Sequence, residues 1–251
     1  MLYESSRGNF KNVKSVDVIK MGIAPDGGLF VPEKGIELKP EVINKMVDMN
    51  YWERAEAVLG PFLSDYTAEE LKECIRNAYN SEKFDAEEIA PVHKLDDTAY
   101  MLELWHGPTC AFKDMALQIL PHLMVKAVEK TSETKEIVIL VATSGDTGKA
   151  ALEGFRDVKG TQVIVFYPYK GVSQIQEMQM ITQEGNNVFP IAVKGNFDDA
   201  QSGVKKILTD TELNKIMDEK GFCFSSANSI NWGRLVPQIV YYFSAYADMV
   251  K

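Results

Sequence analysis

The sequence predicts an α/β protein: a parallel-sheet lobe with flanking helices, preceded by a mainly helical N-terminal region. Three observations carry this. The second half holds short β-branched or aromatic runs, "EIVILVAT", "TQVIVFYP" and "NVFPIAV". Each is followed by a stretch with helical spacing, "GDTGKAALEGFRD", "SQIQEMQMITQEG" and "DDAQSGVKKILTDTEL", and strands that alternate with helices build βαβ units on a parallel sheet. The first ~90 residues instead show turn clusters and short helical periods.

Taken in order, "APDGGLFVPE" (Ala24 to Glu33) is a turn cluster leading into an apolar, strand-like tripeptide. "KPEVINKMVDM" and "TAEELKECIRNAYN" have helical periodicity, and Thr67 with Glu70 has the spacing of a capping box. After the alternating region, "FCFSSANSINWGRLVPQIVYYFSAYADMV" reads as a strand, a polar turn and a long apolar helix. No internal repeat, low-complexity tract or long linker interrupts the chain.

The 251 residues, 45% hydrophobic and 25% charged, have the composition of an ordinary globular protein with enough sequence for a sizeable core. A formal net charge of −9 argues against nucleic acid as a partner, because phosphate binding wants a basic surface. No apolar run approaches the ~20 residues needed to cross a bilayer, and "MLYESSRGNF" lacks the apolar core of a signal peptide. The expectation is a cytoplasmic protein without a membrane partner. Cys74, Cys110 and Cys223 are odd in number and widely separated, which fits reduced thiols. With His93, His106 and His122 they make no zinc spacing, so no metal is expected. The oligomeric state stays open.

Chemistry concentrates at three places. In parallel sheets, ligands collect at the carboxyl ends of strands, where helix N-termini present free amides. The first such junction is "VATSGDTGKAA", in which Thr143, Ser144, Gly145, Asp146 and Thr147 form a small polar turn suited to a carboxylate or phosphate. Ser144 or Asp146 merely capping the helix is an equally open reading. A nucleotide P-loop fails, because Thr143 stands at its first glycine and Ala150 at its Ser/Thr. The second junction, "SSANSINWGR", gathers Asn228, Ser229, Asn231 and Arg234 just before a helix, an anion site by inventory or simply a turn. The third place is "HGPTCAFKDMALQ", with Lys113 inside an otherwise apolar run. Lys113 and Asp114 could mark a solvated first helical turn. Alternatively, an amine desolvated at this loop-to-helix junction has a lowered pKa and suits Schiff-base chemistry.

"YESSRG", "DGGLFVPE", "HGPTCAFKD", "TSGDTG" and "NSINWGR" occur in the order found in threonine synthases, and the chain resembles that family from Tyr3 to about Tyr246. "FKD" and "SGDTG" resemble the bacterial and fungal form. The resemblance implies a fold type II, tryptophan synthase β-like enzyme that uses pyridoxal 5′-phosphate. Lys113 would hold the cofactor covalently, and Asp146 would lie near its phenolic oxygen, where two negative groups must share a proton. The turn Thr143, Ser144, Gly145, Asp146 and Thr147 would surround the substrate α-carboxylate. The implied reaction converts O-phospho-L-homoserine and water to L-threonine and phosphate, with Lys113 as the base. Ser229, Asn231 and Arg234 would hold the leaving phosphate, with Lys149 a weaker candidate; Ser173 and Gln174 match a family stretch without an assigned role. The implied organisation is an N-terminal domain over 1–90, the start of the large cofactor domain over 91–142, a small parallel α/β domain over 143–228 and a return to the large domain over 229–251.

The resemblance also implies, after a helix like "VPQIVYYFSAYADMV", a glycine-rich turn that cradles the cofactor phosphate, and none precedes Lys251. The chain is therefore expected to be a fragment of a longer enzyme or a shortened relative. As isolated it should carry no stoichiometric cofactor and have no threonine synthase activity, with Val236, Ile239, Val240 and Phe243 forming an exposed apolar patch. A phospho-lyase and a non-catalytic binding module for a phosphorylated metabolite are the alternative functions.

Overall fold

The computed structural model describes residues 1–251 and begins with a small antiparallel sheet. Its strands are β1 (Leu2–Ser5), β2 (Val13–Lys14) and β3 (Phe30–Pro32), with β1 in the centre and helix α1 (Ser15–Met21) between β2 and β3. The strand-like tripeptide expected in "APDGGLFVPE" is β3, whereas β1 and β2 were not anticipated, because strands of two to four residues are too short to show alternation. Helices α2 (Pro40–Lys45), α3 (Tyr51–Phe62) and α4 (Ala68–Ala78) follow. The expected capping box of α4 is present: Thr67 Oγ1 accepts from the Glu70 amide at 3.2 Å, and Glu70 Oε2 accepts from the Thr67 amide at 2.7 Å. A short antiparallel hairpin, β4 (Val92–Lys94) and β5 (Tyr100–Leu102), leads to the single-turn helix α5 (Asp114–Leu117) and to α6 (Leu120–Lys130).

The alternating half then forms the predicted sheet. Its elements are β6 (Glu136–Ala142), α7 (Asp146–Gly154), β7 (Thr161–Pro168), α8 (Gln174–Ile181), β8 (Val188–Val193), α9 (Phe197–Thr209), α10 (Thr211–Glu219) and β9 (Phe222–Ser226). All four strands are parallel, in the order β8-β7-β6-β9. The stretch read as one helix over "DDAQSGVKKILTDTEL" is two, because Asp210 leaves helical geometry and its carboxylate caps α10 through the amides of Glu212 and Leu213. Strand β6 is buried on both faces, as parallel strands are. Ile137, Ile139 and Val141 join one apolar cluster, while Val138, Leu140 and Ala142 join a second with Ala200, Val204 and Leu208 of α9. The sheet's own residues thus run from 136 to 226, with β6 at its centre.

After β9 come α11 (Trp232–Leu235) and α12 (Pro237–Met249). The expected exposed patch on this last helix is not there: Val236 and Val240 are fully buried, and Ile239 and Phe243 pack against the main core. The cover is α3. Arg54 donates to Met46 O at 2.8 Å and Ser244 Oγ at 2.8 Å and pairs with Asp248 at 2.7 Å, fastening α12 across 190 residues of chain. The segment around Lys113, also expected to lack packing partners, is exposed at Cys110 and Phe112 before the lysine and fully buried after it at Met115, Ala116, Leu117, Ile119 and Leu120. Exposed apolar side chains on α12 are instead Tyr242, Tyr246 and Met249. One cluster of 41 buried residues joins the N-terminal helices, the sheet and α12. No helix is long and apolar enough to cross a membrane.

Two contacts aim the chemistry-bearing segments at each other. Helices α5 and α7 meet at Gly154, where an added Cβ would sit 2.1 Å from Leu117 O, so only glycine permits this approach. Beyond β9, the Asn228 carboxamide accepts from the Ala142 amide at 2.9 Å and donates to Ala142 O at 2.8 Å. It continues the sheet's pairing past the last strand residue and places the 228 turn beside the 143 turn.

Candidate functional site

The turn between β6 and α7 is built around Thr143, which is 1% exposed. Its Oγ1 accepts from the amides of Gly145 at 3.0 Å and Gly148 at 2.9 Å and donates to Gly145 O at 2.9 Å. The Thr143 side chain is therefore consumed in shaping the turn. Gly145 has φ 159°, and a Cβ there would meet Gln176 Nε2 at 2.4 Å. Two amides at this junction, that of Ser144 before the nine-residue helix and that of Thr147 in its first turn, have no protein acceptor. Ser144 is exposed, and Asp146 and Thr147 are half-buried.

The loop from His106 brings Lys113 to this turn. Cys110 donates its amide to Gly107 O at 3.0 Å and adopts a left-handed φ of 54°, and Thr109 donates through its amide and hydroxyl to the Asp114 carboxylate, both at 2.8 Å. Burial holds Asp114 above the usual carboxylate range, partly offset by those two bonds. Lys113 follows, its Nζ 3.0 Å from Asp146 Oδ2 and 4.2 Å from the Phe112 ring centroid. Its side chain is 18% exposed, so the lysine neither snorkels into solvent nor lies alone in the core. Lys113 holds the Asp146 carboxyl below its ordinary value. The other Asp146 oxygen accepts from Gln176 Nε2 at 3.0 Å.

The third segment divides. Ser229 is exposed, while Asn231 is fully buried and committed: its Nδ2 donates to Ile19 O at 3.0 Å and Ser226 O at 2.8 Å, and its Oδ1 accepts from the Gly233 amide at 2.8 Å. Asn231 holds the turn and has no donor left for a ligand. Arg234 is the opposite case. It is 2% exposed, its Nε and Nη1 have no partner, and burial pulls its guanidinium down to about 10. A buried guanidinium with unmet donors is costly to keep without an acceptor. Lys149 is engaged elsewhere, 3.3 Å from Glu153 and in contact with Gln183.

Sequence reasoning missed Gln176, Thr109 and Asp114. Gln176 could have been found as the third residue after Ser173, because the two form the capping box that starts α8. Asp114 was noted only as a neighbour of Lys113. No group of His, Cys, Asp or Glu side chains is arranged to hold a metal ion.

With this geometry in place, comparison with known proteins is informative. Residues 2–79 match the family model described as the threonine synthase N terminus. Threonine synthase of Pseudomonas aeruginosa is 41% identical over 246 residues, covering 98% of this chain and 50% of that protein. Threonine synthase-like 1 of Mus musculus is 41% identical over 244 residues, covering 94% of this chain and 32% of that protein. Among solved structures, a PLP-bound threonine synthase from Brucella melitensis superposes with TM-score 0.86 at 36% identity, covering 99% of this chain and 52% of that one. The Escherichia coli threonine synthase gives TM-score 0.85 at 31% identity, with 98% and 54% coverage. The α/β fold is thus that of threonine synthases, and the chain spans about half the length of those it matches.

Proposed function

As a homologue of threonine synthases that spans about half their length, this chain, we propose, supplies the lysine and the anion-binding turns of a threonine synthase. The reaction is conversion of O-phospho-L-homoserine and water to L-threonine and phosphate. One observation carries the reading: Lys113 Nζ lies 3.0 Å from Asp146, on the turn where the amides of Ser144 and Thr147 have no protein acceptor. Two segments 33 residues apart, each picked for its own chemistry, meet at one place.

The residues present fit pyridoxal 5′-phosphate. Lys113 is a partly buried amine at a loop-to-helix junction, and Arg234 is a buried cation lacking an anion. Lys113 would hold the cofactor, whose pyridine ring supplies the sink for electrons released at the substrate's carbons. The amides of Ser144 and Thr147 bind the substrate carboxylate, while Thr143 and Gly145 fix the direction in which those amides point. Arg234 offers its unpaired donors to the phosphate group, with Ser229 on the outer side. Asp146 accepts a hydrogen bond from Lys113 Nζ and so holds that amine at the turn, and the amine serves as a base only in its neutral form.

The test is product analysis in the complete gene product supplied with cofactor and O-phospho-L-homoserine. Threonine and phosphate in equal amounts are expected, both lost in Lys113→Ala. Release of 2-oxobutyrate in place of threonine would make the protein a phospho-lyase. Phosphate release unaffected by Lys113→Ala would overturn the reading altogether.

A further inference from the structure

His106, at the start of the loop that carries Lys113, lies between two carboxylates. Its Nδ1 is 2.6 Å from Asp85 Oδ1 and its Nε2 is 2.8 Å from Glu103 Oε2. Asp85 also donates its amide to His106 O at 3.1 Å, and His93 Nε2 approaches the same Glu103 oxygen at 3.5 Å. Trp105 stacks beside the imidazole with ring centroids 5.7 Å apart. Asp85, Glu103 and, through Glu103, His93 are the titratable groups facing this ring.

Counting protons decides the ring's state. An ionised carboxylate only accepts, and a neutral imidazole has one donor nitrogen and one acceptor nitrogen. A neutral His106 could satisfy one of these contacts and would set a lone pair against a carboxylate in the other. Both contacts are met only by the imidazolium. We propose that His106 is a positioning residue that works as a doubly protonated cation, clamping the start of the Lys113 loop between Asp85 and Glu103 and releasing it on deprotonation.

The consequence follows from how the loop is tied. Its far end is fixed by Thr109 on Asp114, whereas its near end is held by the two contacts of the His106 ring and one backbone bond from Asp85 to His106 O. Burial by itself lowers the imidazole's pKa, but the bonds from Glu103 and Asp85 outweigh it and raise the value above the ordinary histidine value. The clamp is therefore closed below a midpoint raised above the ordinary histidine value and opens on its alkaline side. The charge state rests on geometry alone; only its bearing on a cofactor lysine rests on the preceding reading, and the readouts below use no cofactor.

Two measurements on the chain test the proposal. In ¹⁵N-labelled protein, long-range ¹H–¹⁵N spectra separate the ring nitrogens of His93, His106 and His122, with His106→Gln giving the assignment. Both His106 nitrogens should be protonated below a midpoint that lies above the reference of about 6.5. The amide of Cys110, bonded to Gly107 O at 3.0 Å inside the loop, reports release. Its hydrogen-exchange rate, normalised to that of an unprotected amide at each pH, should step upward at the His106 midpoint. In His106→Gln the normalised rate should be high and flat, and in His106→Arg, a permanent cation with several donors, low and flat. A His106 midpoint at or below that reference, or a neutral ring with the proton on Asp85 or Glu103, would overturn the proposal, as would a wild-type rate with no step. Should the variants fail to fold, the wild-type titration and rate profile decide the matter alone.

Discussion

Thr143→Val removes one oxygen and nearly nothing else, because the two side chains have the same shape. The hydroxyl makes three bonds within the turn, to the amides of Gly145 and Gly148 and to Gly145 O. In the valine variant the buried Gly145 amide has no other acceptor, which costs about 1–3 kcal/mol. The Gly148 amide falls back on Gly145 O at 3.2 Å, and the bond donated to that carbonyl is lost. These two changes add about 0.5–1.5 kcal/mol each at most. The total destabilisation is about 2–6 kcal/mol. Thr143→Ser keeps the hydroxyl and loses one methyl, worth about 0.8 kcal/mol. Urea unfolding of the three proteins should therefore rank wild type, serine, valine, with unchanged m-values. A valine variant as stable as the serine variant would refute the claim that Thr143 is spent on building the turn.

Three further outcomes are expected. Arg234→Met should leave stability unchanged or raise it, because a buried guanidinium with two unpartnered donor atoms is costly to keep; inorganic phosphate should raise the urea midpoint of the wild type and not of this variant. The Asp146 carboxyl sits below its unfolded value, so its contribution is present above the reference of about 3.9 and is lost as pH falls below that through the folded value. The difference in urea midpoint between wild type and Asp146→Asn should accordingly be level at neutral pH and shrink on the acid side, and it should be modest because that side chain is 47% exposed. Lys149→Ala breaks an i,i+4 pair on α7 and should cost less than about 1 kcal/mol by thermal unfolding, without touching Lys113.

What the sequence made legible was local. The runs around β6, β7 and β8 are apolar because parallel strands are covered on both faces, and helical periods between them leave little choice of architecture. Lys113 and the 143–147 turn stood out because their residue types are unusual in those settings, and the fold brings them within a hydrogen bond. Roles that depend on distant partners were not legible. Thr143 and Asn231 looked like ligand donors by type, yet each turns inward and spends its hydrogen bonds on backbone, which type cannot reveal. Gln176 reaches Asp146 from 30 residues away, and the cover of α12 by Arg54 spans 190. His106 entered only as a histidine without zinc spacing, because Asp85, 21 residues earlier, gives no local sign of facing it.

Lys113 is the amine proposed to capture pyridoxal 5′-phosphate. The direct measurement is to incubate the protein with cofactor, reduce with borohydride and map the pyridoxylated peptide by mass spectrometry. The label should fall on Lys113 ahead of freely exposed lysines such as Lys94 and Lys205, persist in Lys149→Ala and vanish in Lys113→Ala. Label spread over exposed lysines with Lys113 unmodified would contradict the claim.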